Sequence, residues 1–332
     1  MEPVRWGVLS TARIGTTKVI PGMQKSPALV VLGVASRDLS KAQHCAAELG
    51  VARAYGSYEE MLADPDIEAV YNPLPNDLHV PLTLAAVRAG KHVLCEKPMA
   101  MTAVELEALR PFTSKVHIRE AFMVRHHPQW IESRRLIREG AIGELRYIHA
   151  AFNYFNTDPQ NIRNRPENGG GALFDIGCYA VTAGRWFFEG EANRVIATID
   201  RDPVFGTDRT TSGMLEFSEG RHLTFSVSTQ AAPYQRVTVA GTRGRLEIAI
   251  PFNAPPDRPC TFTIDSGGAL DGSTAVQTTV NVADQYQLQA ESFSRAVRGE
   301  RPNASGLDDA SATLRTIDAL FTSARSGRFE QL

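Results

Sequence analysis

Four side chains in this 332-residue chain have the types and placement for proton transfer: Glu96, Lys97, Asp175 and Tyr179. Ala89-Gly90 reads as a helix end and His92 to Cys95 as a short buried strand, so Glu96 and Lys97 stand at that strand's C-terminal edge. Open parallel sheets hold their ligands at this edge. Pro98 forces Lys97 out of helical geometry into an extended or turn conformation. The competing reading is a solvated surface ion pair. Asp175 and Tyr179 follow Gly169-Gly170-Gly171 and stand four residues apart on a predicted helix, so both leave it on one face. A phenol held near a lysine can exchange a proton with a substrate hydroxyl, and a neighbouring carboxylate can orient it. Their bland alternative is a carboxylate serving the helix dipole and a tyrosine packed in the core.

Composition narrows the partners. A formal net charge of −2 gives no basic surface for nucleic acid or acidic lipid, which leaves a small molecule. Cys45, Cys95, Cys178 and Cys260 lack CxxC spacing and the histidines nowhere form HxxxH. No disulfide framework and no metal site is expected. Met1-Glu2-Pro3 runs almost directly into a strand-like segment and no apolar run approaches membrane-spanning length, so the expectation is a cytoplasmic protein with no membrane partner.

The elements that must position these groups begin with Val4 to Leu9, a strand that ends in Ser10-Thr11-Ala12-Arg13-Ile14-Gly15 before a helix over 16–24 that Pro21 disturbs. A dinucleotide fingerprint GxGxxG would fall here with Ser10 and Ala12 in place of two glycines. Small residues let the backbone approach a pyrophosphate at a helix N-terminus, provided no positive φ is demanded. A second strand, Leu29 to Ala35, leads to Ser36 and Arg37, where an NAD enzyme would place an acid for the ribose. A hydroxyl and a guanidinium suit a 2′-phosphate, so NADP(H) is favoured over NAD(H). Arg37 as a plain surface residue beside a capping Asp38 is compatible with this. Strands at Ala69 and His92, with a last one over 115–122, complete a doubly wound parallel sheet. The loop Pro73-Leu74-Pro75 is stiff enough to line a cofactor pocket, and His79 in the following helix reads as a structural histidine.

Length implies two domains, 1–122 and 123–332. In the second, a helix over 129–139 is followed by period-two runs starting at Glu144, Arg194, Gly213, His222, Arg236, Arg245 and Thr261. The first of these runs, Glu144 to Phe152, begins a strand. They make a large, mostly antiparallel open sheet, and helices cover one face. A wide apolar face is rarely left in water, so the other is expected to join a second copy in a homodimer. Two closing helices, Gln285 to Arg298 and Leu307 to Arg325, flank Gly299-Glu300-Arg301-Pro302.

The stretches STARIG, YNPLPNDLHV, AGKHVLCEKP, the EAFM run from Glu120, GGGALFDIGCY and IDALFTSARSGR resemble the glucose-fructose oxidoreductase, inositol dehydrogenase and MocA superfamily over nearly the whole chain. The resemblance implies an NAD(P)-binding Rossmann domain followed by an α/β domain with an open antiparallel sheet. It implies that Lys97 orients the substrate and assists proton transfer, that Asp175 is the family's aspartate, and that Tyr179 stands where many members have a histidine. Tyrosine there is similar to the glucose-fructose, aldose and dihydrodiol enzymes, which implies a sugar or similar cyclic polyol. Ser10, Thr11, Ala12, Arg13 and Ile14 would then form the pyrophosphate turn and Ser36 and Arg37 the 2′-phosphate site. Lys41 and Tyr55 are further cofactor-side candidates. Pro73, Leu74, Asn76, His79, Glu96 and Lys97 would lie on the nicotinamide side, with Arg163 approaching the cofactor. Arg125, His126 and Phe155 join Asp175 and Tyr179 as sugar-binding candidates.

The expected reaction is oxidation of an aldopyranose at C1 to a lactone. Either NADPH stays bound and reduces a second sugar, toward which the resemblance leans, or it exchanges as in a simple aldose or dihydrodiol dehydrogenase. A non-catalytic dinucleotide-binding regulator is the competing class.

Overall fold

The computed structural model describes residues 2–300 and 306–332, so Arg301 and Pro302 of the expected interhelical turn lie outside the described residues. The chain divides into two compact units, residues 1–123 with 284–311 and residues 124–283 with 312–332. Asp284–Ser311 therefore belongs with the N-terminal unit, whereas a single linear cut at residue 122 groups it with the C-terminal one.

The first unit holds a six-stranded parallel sheet in the order β3-β2-β1-β4-β5-β6. Its strands are β1 (Val4–Leu9), β2 (Leu29–Ala35), β3 (Arg53–Tyr55), β4 (Ala69–Asn72), β5 (His92–Cys95) and β6 (Ile118–Glu120). Central strands of such a sheet are buried on both faces, which is why β4 reads as a continuous buried run rather than an alternating one. The order reverses between β1 and β4, and the crevice outside their carboxyl ends is where this topology binds ligands. A helix from the far end of the sequence, α7 (Gln285–Val297), completes the core: Phe293 packs on Trp6 with ring centroids 5.2 Å apart, and the Trp6 indole donates to Ser294 Oγ at 3.0 Å. Helices α2 (Leu39–Leu49), with Asp38 as its N-cap, and α4 (Asn76–Arg88) carry the crossovers.

The second unit is built on a nine-stranded sheet centred on β7 (Leu145–Phe155), flanked by β11 (Gln230–Gly241) and β10 (His222–Ser228). Beyond β10 lie β9 (Asp208–Glu216) and β8 (Arg194–Arg201). Among these strands the pairing is antiparallel except between β7 and β10. Ile148 and Phe152 of β7 are buried on the face packed by α6 (Cys178–Phe188), while Tyr147 and His149 point the other way and are exposed. That second face is not the apolar surface expected from the sequence. It carries paired hydroxyls, Ser212 with Ser226 at 2.8 Å and Thr210 with Ser228 at 2.9 Å. The chain ends in α8 (Leu307–Ser326), which the two units share, and the two-residue strand Glu330–Gln331.

All four cysteines are free and buried, and among the described residues no helix is long and apolar enough to cross a membrane.

Candidate active site

The first unit's candidate groups gather at the carboxyl ends of β1, β2, β4 and β5. After Leu9 the backbone turns at Ser10 with φ 82°, so the turn does demand a positive φ, against the expectation for a serine at this point. The residue is held there: its amide donates to Ala35 O at 2.9 Å, and its hydroxyl accepts from the Ala12 amide at 3.2 Å. That local bond offsets part of the steric cost a side chain meets at positive φ. Thr11 and Ala12 then lead into a helix that begins at Arg13 and runs as a π-helical turn over Gly15–Val19. A helix start reached through a tight small-residue turn suits a pyrophosphate. A Cβ on Gly15 would lie in ordinary contact with Pro73 and Tyr71, so this turn sits against the end of β4.

At the end of β2, the Ser36 amide donates to Tyr55 O and the Ser36 hydroxyl accepts from the Asp38 amide. Asp38 in turn caps α2 through the Ser40 and Lys41 amides. Arg37 and Lys41 are exposed, with Arg37 against the Tyr58 phenol. Their charge fits a ribose 2′-phosphate. Tyr55 is committed elsewhere: its phenol donates to Asp64 at 2.5 Å, and burial with that carboxylate pushes it up to about 12. Its part in this corner is the backbone bond that holds Ser36.

The backbone around Lys97 is tied on both sides. Tyr71, fully buried, donates to Glu96 Oε1 at 2.6 Å, and Glu96 Oε2 accepts from the Lys97 amide at 3.3 Å. Lys97-Pro98 is a cis peptide bond. The His79 ring nitrogens lie 2.7 Å from both Pro98 O and Leu74 O, so this buried imidazole bridges the loop after β5 to the loop after β4. Burial takes it down to about 4, against the pull of the two carbonyls. His79 is thus a strut between loops. Pro73 and Leu74 are buried and Asn76 opens α4. Lys97 is half-buried at the sheet edge, as the sequence places it.

In the second unit the triple glycine is explained residue by residue. Gly169 is left-handed at φ 70°. A Cβ on Gly170 would stand 2.5 Å from Arg163 O, and one on Gly171, at φ 115°, would overlap the Asp208 carboxylate. The Gly170 and Gly171 amides donate to Arg165 O and Arg163 O, so the glycine turn grips the 3-10 turn Ile162–Asn164. Asp208 is buried, accepting from the Leu173 amide at 2.7 Å and the Thr211 hydroxyl at 2.9 Å, and burial pushes it up to about 6. The helix bearing Asp175 and Tyr179 opens with a π-helical turn, Leu173–Gly177, before α6.

Asp175 is the hub. Its Oδ2 accepts from Tyr154 at 2.6 Å and from Arg163 Nε at 2.9 Å. Tyr179 is buried against Phe152 and Phe252, at 5.7 Å and 5.2 Å between centroids, and its phenol lies within electrostatic range of Arg163. The structure therefore brings Asp175, Tyr179 and Arg163 together and adds Tyr154 and Asp208, which sequence reasoning missed. Phe155 is not among them: one residue past Tyr154 on the strand, it projects to the opposite face and is 64% exposed. Arg125 and His126 lie in the turn Met123–His126, both half-buried.

A sheet that reverses its order beside a small-residue turn, together with a second unit that clusters a phenol, a carboxylate and an arginine, defines an oxidoreductase of the dinucleotide-binding class. Residues 4–118 match the model of the oxidoreductase family with the NAD-binding Rossmann fold, and residues 130–247 match the GFO/IDH/MocA C-terminal domain. The chain belongs to the GFO/IDH/MocA family. It is 46% identical to an uncharacterized oxidoreductase, ORF334, of Rhizobium meliloti, with 99% of each chain covered. It is 37% identical to a D-xylose 1-dehydrogenase (NADP(+)) of Haloferax volcanii, over 98% of this chain and 99% of the relative. Among solved structures, the aldose-aldose oxidoreductase of Caulobacter crescentus complexed with glycerol superposes with a TM-score of 0.90 at 26% identity, covering 99% of this chain and 100% of that one.

Proposed function

We propose that this enzyme oxidises an aldopyranose at C1 to the lactone, using NADP+. The observation that carries the reading is the sugar-side cluster: a phenol walled by Phe152 and Phe252 beside an Asp175 that is tied to Arg163. Aromatic walls with a few fixed polar groups suit a polyhydroxyl ring. Full-length similarity to a xylose dehydrogenase supports the same chemistry, and the exposed Arg37 and Lys41 after β2 support the phosphorylated dinucleotide.

Bound NADP+ supplies the hydride acceptor. Ser10 to Ile14 would hold its pyrophosphate, and Ser36 with Arg37 would hold the 2′-phosphate. Tyr179 would accept the proton of the C1 hydroxyl as C1 gives up its hydride, and the role proposed for the Lys97 ammonium is to offset negative charge on the sugar oxygen. Tyr71, Glu96 and His79 fix the backbone on either side of Lys97.

Lys97→Met should lower turnover by about 10²–10⁴-fold while NADPH binding, followed by fluorescence, stays intact. A near-normal rate removes Lys97 from the chemistry. The cofactor's mode is read from the spectrum of the purified protein before and after excess glucose or xylose. A reduced-nicotinamide band that forms without added NADP+ and fades with a second sugar marks sugar–sugar oxidoreduction. Turnover only with added NADP+ marks a simple aldose dehydrogenase. No change with either, in a protein that binds NADPH, overturns the catalytic reading.

A further inference from the structure

Tyr154 lies two residues beyond Phe152 on β7, so the strand's alternation puts both rings on the face that packs α6. The Tyr154 hydroxyl and Arg163 Nε donate to the same Asp175 oxygen, at 2.6 Å and 2.9 Å. These two donors differ in how firmly they are held. Tyr154 stands on the central strand of the sheet, whereas Arg163 stands on a 3-10 turn with its side chain 43% exposed. The ion pair engages Arg163 through Nε, so the Nη groups are the donors this guanidinium can offer a ligand. A guanidinium tied by Nε alone can swing about that bond unless the acceptor oxygen is itself fixed.

We infer that Tyr154 is a positioning residue: by fixing Asp175 Oδ2 it sets where Arg163 presents its Nη donors to an oxygen of the bound ligand. This rests on the reading above that the cluster serves the sugar or the dinucleotide. Burial and the Asp175 charge both push the Tyr154 phenol well above its ordinary range, so it keeps the proton that it donates to Asp175. With both donors on Oδ2, Asp175 links Tyr154 to Arg163, and its work is to aim the guanidinium.

The test is Tyr154→Phe in the wild type and in two variant backgrounds, Arg163→Lys and Asp175→Ala. Removing one bond to a charged group should raise KM for the sugar, or Kd for NADPH, by about tenfold, with kcat within about twofold. A rise in KM assigns the Nη donors to the sugar, and a rise in Kd assigns them to the dinucleotide. In the Arg163→Lys background the same change should add no further loss. Unchanged KM and Kd, or an equal loss in both backgrounds, overturns the inference. Melting temperature reads the tie without any activity: Tyr154→Phe should lower it in the wild type and much less in Asp175→Ala. An equal drop in both also overturns the inference, whereas a wild-type enzyme inert toward sugars but showing the expected melting pattern sinks only the functional reading.

Discussion

Asp208 is buried against the glycine turn, and its two hydrogen bonds do not outweigh the cost of removing its charge from water, so its carboxyl titrates near 6 instead of the ordinary 3.8. The folded state therefore binds this proton more tightly than the unfolded chain does. Its contribution to stability is fully present below about 3.8 and is lost as pH rises to about 6. The shift of about two pH units corresponds to roughly 3 kcal/mol. Asp208→Asn keeps an acceptor for Leu173 and Thr211 but has no charge to bury, so the variant should lose less stability than the wild type between pH 4 and pH 6.5. Urea denaturation of both proteins at the two pH values measures the difference; parallel behaviour would show that Asp208 is solvated. Other carboxylates, such as Asp64 beside Tyr55 and Arg53, are shifted down and contribute the opposite slope, which cancels in the comparison.

At the scale of elements, the glycine turn is under the tightest steric demand. Gly171→Ala should destabilise the protein by about 3 kcal/mol or more, because it combines a strained φ with overlap of the Asp208 carboxylate. Gly169→Ala meets only the left-handed φ and should cost about 1–2 kcal/mol. Equal costs in a urea titration would mean that the Asp208 side chain moves aside. Both glycines could be singled out in the sequence, as could the strand edge at Lys97, because apolar runs and small-residue clusters report local geometry. The partners could not. Asp208 meets Leu173 across 35 residues of chain. Tyr154 was hidden because the alternating run is legible only to Phe152, whereas β7 continues to Phe155 through its pairing with Gln230 of β11. β3, with three residues, is too short to show a period, and the return of α7 to Trp6 depends on a contact 288 residues apart. Ser10 was legible in position but not in conformation, because its positive φ depends on a bond from the Ala12 amide.

For the whole molecule, the exposed face of the nine-stranded sheet changes the argument for self-association. Tyr147 is opposite His222 and His149 is opposite Thr224 and Thr238, while Ser226 is opposite Ser212. Cross-strand hydroxyl pairs satisfy much of this face without a partner, so burial of apolar area does not by itself demand a second copy. A homodimer through this face remains the proposed assembly, but its anchor would be aromatic and its surroundings wet. Tyr147, 45% exposed and stacked on His222 at 5.9 Å, is the side chain of the type that dominates such interfaces. Light scattering at micromolar concentration should give twice the mass of one chain. Tyr147→Asp should weaken association by about thirtyfold and shift the protein toward monomer, leaving the melting temperature of the monomer little changed because this ring is outside the core. A wild-type protein of single-chain mass removes the homodimer. A dimer indifferent to Tyr147→Asp would place the interface on another surface, because a carboxylate cannot replace a stacked phenol in a desolvated contact without a measurable loss.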